Sequence, residues 1–316
     1  MTEAVQEICR TFNVNSIYAR KVYAQADKND LLSDAGRIIK GKPKPFVKWV
    51  GGKRQLLKQF RELGLYPPED FDPRRNRYFE PFVGGGAVFF DLLPEKAYLS
   101  DTNVELVTTY KVIRDNVEAL IRSLKKHRYE KEYYYKVRAQ DPKKLSDVSV
   151  ASRFILLNRT GFNGMYRVNR EGKFNVPFGK YSNPLICDAE NLRKASAALE
   201  HTEVTVADYK KVLRYAKKGD FVYFDPPYYP VSKTASFTAY TADAFLEKEQ
   251  LELRDTFLEL HKRGCFVMLS NSDTPFINKI YSGHRGVRIS KIKAARMVNS
   301  NATKRGKIKE VLVTNY

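Results

Sequence analysis

Residues 77–93 read RYFEPFVGGGAVFFDLL, and this stretch decides the fold class. Arg77 to Phe82 is short, aromatic and ends at a glycine cluster, the pattern of a buried strand. Ala87 to Leu93 then reads as a helix. Strand, tight glycine-rich loop and helix in that order open a nucleotide-binding α/β sheet. Glycine permits backbone conformations closed to larger residues and lets a ligand approach the chain closely. The run is neither G-x-G-x-x-G nor a P-loop, because no G-K-[ST] follows it, so a phosphate-binding NTPase is disfavoured.

Outward from this core, KAYLSD (96–101) is a second strand candidate ending in Asp101, and helical sequence follows from about Val104 to Lys126. Asp101 lies about 15 residues past the glycines, where a carboxylate can accept hydrogen bonds from ribose hydroxyls. On its own the pair could equally be a glycine turn and a helix-capping Asp. Further on, Glu203–Val206 is a short strand closing on Asp208. Phe221–Asp225 is an apolar strand running into PPYYP, and Phe245–Arg263 is an amphipathic helix. Cys265–Ser270 is a buried strand, DTPFINKIYSG is a helix with Asp273 as its expected cap, and Glu310–Thr314 is a final strand behind a basic tail.

Residues 105–197 interrupt this alternation. Ile121–Lys144 holds nine Lys or Arg against three Asp or Glu, and carries Tyr129, Tyr133, Tyr134 and Tyr135. A helical run, VSVASRFILLNRTGF, leads into YRVNREGKFNVPFG, which has the pattern of a β-hairpin turning at Arg170–Gly172. At the other end, residues 1–42 show weak periodicity with one candidate amphipathic helix around 16–40, and Pro43 and Pro45 interrupt any helix there.

The 316 residues carry 56 Lys and Arg against 36 Asp and Glu, a formal charge of +20. Such an excess points to a polyanion, with nucleic acid ahead of an acidic membrane surface. A basic surface kept for solubility is the plain alternative. No stretch of 18 apolar residues indicates a membrane span, and the first residues lack the pattern of a secretory signal. Cys9, Cys187 and Cys265 are too far apart to form a disulfide framework or a C-x-x-C pair, so a reducing, cytoplasmic setting and no metal site are expected.

The chemistry concentrates in YFDPPYYP, residues 223–230. Asp225 closes an apolar strand, where the catalytic groups of open sheets gather. Pro226 and Pro227 lack N–H groups and stiffen the turn. A carboxylate and a backbone carbonyl can there hold one amino group, with the Tyr228 ring against a flat base. No Pro-Cys pair follows an apolar strand, which argues against cytosine-C5 chemistry, since that needs a thiolate.

PFVKWVGGK (45–53), FEPFVGGGAVF (79–89), LSDTN (99–103), residues 153–179, YFDPPY (223–228) and residues 295–316 occur in the order seen in one family. Over about residues 43–316 the chain resembles the Dam and DpnII-type DNA adenine N6-methyltransferases of the D12 class. The resemblance implies a Rossmann-like α/β sheet using S-adenosylmethionine, with an inserted helical and β-hairpin target-recognition domain. It implies a catalytic domain of residues 43–104 and 198–316, a recognition domain of 105–197, and an appendage of 1–42 without an assigned role. Asp225, Pro226, Pro227 and Tyr228 match the catalytic tetrapeptide. Trp49, Gly51, Gly52, Lys53, Phe82, Gly84, Gly86, Asp101, Asp208 and Tyr209 match cofactor-binding positions, although Asp208 could equally be a helix cap. Arg167 matches a guanine-reading arginine of GATC sites, and Asn163, Met165 and Pro177 fall at recognition positions. Lys180 stands where some relatives carry Arg. Lys125, Lys126, Arg128, Lys143 and Lys144 are candidate phosphate contacts, and Arg296, Asn299, Ser300 and Arg305 are expected to border the DNA groove.

The expected activity is methyl transfer to adenine N6 in double-stranded DNA within GATC, by base flipping. The expected state is a monomer with a cognate restriction endonuclease as partner. The alternatives are a catalytically silent DNA-binding module of the same fold, an enzyme for another short palindrome, and an RNA-modifying enzyme.

Overall fold

The structure, a computed structural model, describes residues 2–12, 19–20, 23, 31–32, 41–231, 245–295 and 307–316. At its centre is a seven-stranded mixed sheet ordered β3-β2-β1-β4-β5-β7-β6. The strands are β1 (Tyr78–Glu80), β2 (Ala97–Asp101), β3 (Thr202–Val206), β4 (Phe221–Phe224), β5 (Phe266–Ser272), β6 (Arg288–Ala295) and β7 (Lys307–Thr314). The first five run parallel. β7 runs antiparallel to β5, and β6 antiparallel to β7. This is the α/β class expected from the strand–glycine loop–helix opening.

Strand order reverses between β1 and β4, which pair directly with Tyr78 opposite Phe221 and Phe79 opposite Val222. A crevice opens at such a reversal, beyond the carboxyl ends of both strands. The loops that leave β1 and β4 are the glycine run and D-P-P-Y. Two motifs more than 130 residues apart therefore meet at one point.

Side chains alternate across the strands and build two cores. Tyr78, Leu99, Phe221, Tyr223, Met268 and Leu312 face one side, and Phe79, Val222, Phe224, Val267, Leu269, Val311 and Val313 face the other. Helices α3 (Ala87–Leu92), α4 (Val104–Leu124), α6 (Asp147–Thr160) and α7 (Ala189–Leu199) cover the first face. Helices α8 (Glu247–Lys262) and α9 (Pro275–Tyr281) cover the second. β4, FVYF, is wholly buried because it is central and covered on both sides. Two further helices are α2 (Leu57–Glu62) and α5 (Lys131–Arg138).

The helical insertion is tied down by a buried ion pair. Arg153 of α6 reaches Glu105 of α4 at 2.7 Å and donates to the Val137 and Arg138 carbonyls of α5. Tyr166 donates to the other Glu105 oxygen at 3.1 Å. Removing one partner of such a pair strands the other charge, at a cost of about 3–5 kcal/mol. Glu105→Ala is expected to lower stability on that scale. Urea denaturation checks this, and a loss within 1 kcal/mol would refute it.

Three sequence readings are corrected. Residues 1–42 do contain clear periodicity: α1 (Glu3–Phe12) buries Val5, Ile8 and Cys9, spaced i, i+3 and i+4. The candidate helix at 16–40 falls mostly outside the described residues. β6 was read only as basic tail, because Arg288, Lys291 and Lys293 mask an alternation in which Ile292 is the buried residue. Charged side chains suit it, since an edge strand needs protection from further pairing. Thr274, not Asp273, caps α9 by accepting from the Ile277 N–H. Asp273 instead accepts from the Asn278 side chain at 2.8 Å.

Candidate active site

Asp225 leaves the carboxyl end of β4 with its side chain 22% exposed. Its carboxylate meets the Lys53 ammonium at 2.7 Å through Oδ1 and 2.8 Å through Oδ2. Lys53 is buried and opens a short 3₁₀ turn, Lys53–Gln55. Gly51, at φ +80°, bends the chain so that its own carbonyl accepts from the same ammonium. Gly52 permits a tight turn in which its N–H donates to the Trp49 carbonyl at 3.1 Å. Burial pushes the Asp225 carboxyl up, and Lys53 pulls it back. A carboxylate offers about four lone-pair directions. Lys53 leaves room for a further donor on the partly exposed side.

The turn beyond Asp225 is fixed by a network of buried side chains. Gln250 of α8 donates to the Pro227 carbonyl at 3.0 Å, and Asn271 of β5 donates to Gln250 at 2.9 Å. Asn271 in turn accepts from the Tyr229 N–H at 3.1 Å, while Ser272 donates to the Tyr229 carbonyl. Pro226 is buried and Pro227 exposed. The Tyr228 ring lies 5.0 Å from the Lys53 ammonium.

The glycine loop is equally constrained. Gly84 has φ +45° and Gly86 φ +66°, a region that favours glycine. A Cβ on Gly84 would stand 2.6 Å from the Trp49 indole, and one on Gly86 2.6 Å from the Tyr110 hydroxyl. Trp49 thus packs directly on the loop, and its other neighbours are Phe154 and Tyr166. Asp101, at the end of β2, accepts from the Gly84 N–H at 3.2 Å and the Asn103 N–H at 3.0 Å. Phe82 stacks on Tyr209 with centroids 5.4 Å apart, and Phe245 meets both rings edge-on. Asp208 is exposed and caps the 3₁₀ turn Tyr209–Arg214 by accepting from Lys210 N–H, the capping alternative its sequence left open.

The recognition candidates lie on a second segment. Phe162 N–H donates to the Pro177 carbonyl at 2.9 Å, which brings Asn163 and Pro177 together. Asn163 is exposed at φ +54°, Met165 is half-buried, and Pro177 and Lys180 are exposed. Arg167 is exposed and donates to Asn175 Oδ1 at 2.7 Å. The expected hairpin is reduced to two isolated bridges, Gly161 with Phe178 and Val168 with Phe174. Pro177 has no N–H to extend the ladder. The turn does close at Arg170–Gly172, where Asn169 accepts from Glu171 and Lys173 N–H groups. This segment is latched to the N-terminal motif. Asn158 accepts from the Lys48 N–H and donates to the Lys48 and Gly164 carbonyls, all at 2.8 Å. Arg296, Asn299, Ser300 and Arg305 lie outside the described residues.

A sequence model of the D12 class N6 adenine-specific DNA methyltransferases matches residues 49–298. This chain belongs to that family. It is 44% identical over 281 residues to the type II methyltransferase M1.LlaDCHI of Lactococcus lactis, covering 86% of this chain and 95% of the relative. It is 43% identical over 291 residues to the type II methyltransferase M.MjaIII of Methanocaldococcus jannaschii, covering 86% and 99%. To the DNA adenine methylase of Escherichia coli K12 it is 32% identical over 276 residues, covering 86% and 95%.

The methyltransferase moves a methyl group from S-adenosylmethionine to adenine N6 in DNA. The donor set beside the glycine loop suits that cofactor, since the Asp101 carboxylate at the end of β2, next to Gly84, could accept hydrogen bonds from ribose hydroxyls. Among the described residues no helix is long and apolar enough to cross a membrane.

Sequence reading missed four groups around the site: Glu80, Gln250, Asn271 and Glu310. Each sits in an ordinary strand or helix, so only packing reveals it. Glu80, at the end of β1, is buried and accepts from the Tyr78 hydroxyl at 2.9 Å and the Phe89 N–H at 3.2 Å. Burial pushes its carboxyl up to about 8, with Asp225 adding to the rise. The folded enzyme therefore holds a Glu80 proton that the unfolded chain releases above its ordinary carboxylate range. That contribution to stability is complete below about pH 4.5 and is lost as pH rises to about 8. Glu80→Gln is expected to flatten the fall in stability across this window, measured by denaturation at several pH values. An unchanged slope would reject the assignment.

Proposed function

We propose that the enzyme methylates adenine within GATC in duplex DNA, after flipping the base into the crevice beside Asp225. The observation that carries this reading is the Lys53–Asp225 pair at the strand-order reversal, next to the glycine loop. An adenine inside a duplex is inaccessible, so the base must leave the stack. Tyr228 stacks on it, while Asp225 and the Pro226 carbonyl accept hydrogen bonds from its N6 amino group. These bonds draw the nitrogen lone pair out of ring conjugation and aim it. S-adenosylmethionine, when bound, would supply the electrophilic methyl group and leave as its thioether, S-adenosylhomocysteine, and the methylated nitrogen would shed one of its two N6 protons. Positioning and electrostatics then lower the barrier without a covalent enzyme intermediate. Asp101 would hold ribose hydroxyls of the cofactor, and Phe82 with Tyr209 would flank it. Trp49, Gly51 and Gly52 support this side of the site, with Asp208 at its margin.

Residues 105–197 carry target recognition in this proposal, on the catalytic frame of 43–104 and 198–316. The Arg167 guanidinium suits guanine O6 and N7. Asn163, Met165, Pro177 and Lys180 flank it. The intact D-P-P-Y turn, held by Gln250 and Asn271, favours an active enzyme over a silent DNA-binding module. We further place it in the cytoplasm as a monomer. The type II methyltransferases among its relatives support a cognate restriction endonuclease as partner.

Base-resolution mapping of unmethylated genomic DNA, after incubation with enzyme and S-adenosylmethionine, tests the proposal. N6-methyladenine confined to GATC is expected, and the mark at another motif would overturn the specificity. Arg167→Ala should relax discrimination at one guanine by about 5- to 150-fold, equivalent to about 1–3 kcal/mol. Rates on single-substituted sites check this, and undiminished discrimination would remove Arg167 from recognition.

A further inference from the structure

Glu310 lies in β7, opposite Ser272 of β5 and Ile292 of β6. This places it at the carboxyl end of the parallel strands, 82 residues beyond D-P-P-Y. The Tyr228 hydroxyl donates to Glu310 Oε2 at 2.9 Å. The backbone around Tyr228 is already held by Pro226, Pro227 and the Gln250–Asn271–Ser272 network. What remains free is rotation of the ring about its side-chain torsions. A tie at the far end of the ring removes that freedom.

We infer that Glu310 is a positioning residue for methyl transfer, setting the plane of the Tyr228 ring through its hydroxyl. The inference rests on the reading that Tyr228 stacks on the flipped adenine. The donor direction is supported by burial, with Asp225 and Glu310 nearby, which pushes the Tyr228 hydroxyl well above its ordinary range and keeps it protonated. The antiparallel end of the sheet thus acts on the reaction although it contributes neither the glycine loop nor D-P-P-Y. The Lys53 ammonium, 5.0 Å from the ring centroid, is a second contact on the same ring. Stacking geometry is sensitive to tilt, and small misplacements of reacting groups cost rate steeply.

The test is a double-mutant cycle on the full-length enzyme, with rates read on unmodified duplex DNA and base extrusion read on a second duplex in which 2-aminopurine, lacking the N6 amino group, replaces the target adenine. Glu310→Ala and Tyr228→Phe should each lower kcat by about 10-fold, with KM for DNA within about 2-fold. The double variant should lose no more than either single one. Glu310→Gln, which keeps an acceptor, should recover most of the rate. 2-Aminopurine fluorescence should change in parallel in the two single variants, because it reports stacking of the extruded base. A purely structural Glu310 would lower thermal stability without matching the Tyr228→Phe signature. Unchanged kcat in Glu310→Ala, or losses that multiply in the double variant, would overturn the inference. Tyr228→Ala separates the two layers. If it retains activity, the stacking reading fails. If it is inactive while Glu310→Ala and Tyr228→Phe are normal, only the role of Glu310 fails.

Discussion

Asp225→Asn is expected to lower the methyl-transfer rate by about 10²–10³-fold, the scale for losing one preorganised group at a developing charge. Positive charge grows on adenine N6 as the methyl group arrives, and the carboxylate stabilises it where a neutral amide cannot. The amide keeps the size of the side chain and leaves Lys53 an oxygen acceptor, so it disturbs the fold less than truncation does. Asp225→Ala is a harsher change. It leaves the Lys53 ammonium, 3% exposed, without the carboxylate at 2.7 Å that compensates it. Part of its loss would then reflect instability. Single-turnover methylation, with DNA affinity measured separately, distinguishes the two effects. Near-normal product formation by Asp225→Asn would overturn the catalytic assignment, and a loss confined to DNA affinity would make Asp225 a binding residue.

Lys53→Met is the second large effect, and its sign follows from the cluster. Burial raises the Asp225 carboxyl, while the charge of Lys53 and its hydrogen bond oppose that rise. Without the ammonium, only the raising influence remains, with Glu80 close enough to feel Asp225. A protonated Asp225 turns one acceptor oxygen into a donor and cannot stabilise positive charge on N6. The acid limb of the pH–rate profile should therefore move to higher pH. Transfer should then fall below the wild-type rate across the displaced limb. Raising the pH should restore part of the rate. An acid limb at its wild-type position would show that Lys53 does not control Asp225. A loss equal at every pH would assign it to contact with substrate or cofactor instead.

Much of the fold was legible in local pattern. Arg77–Leu93, KAYLSD and Phe221–Asp225 carry strand and turn signals strong enough to define an α/β sheet, because each is a short apolar run ended by glycine, proline or an acid. β6 was not legible, since its lysines serve the exposed edge and conceal the inward Ile292. α1 was passed over although Val5, Ile8 and Cys9 repeat at helical spacing, because a single short helix flanked by polar sequence gives little signal. The hairpin at 166–176 had the right turn but an overestimated ladder, as Pro177 cannot donate.

The residue types of the site were in the sequence by themselves: a glycine loop that no side chain could replace, and a carboxylate followed by two prolines and an aromatic ring. These are set by local chemistry, by allowed backbone angles and missing N–H groups, and so survive in a linear reading. Tertiary structure alone decided which groups surround Asp225. The pairing of β1 with β4 brings Glu80 near it, the turn at Gly51–Lys53 inserts an ammonium, and β7 delivers Glu310 to Tyr228. Such contacts join residues 82 and 172 positions apart. Their energies come from burial and the loss of water around charges, quantities that exist only once the chain has closed on itself.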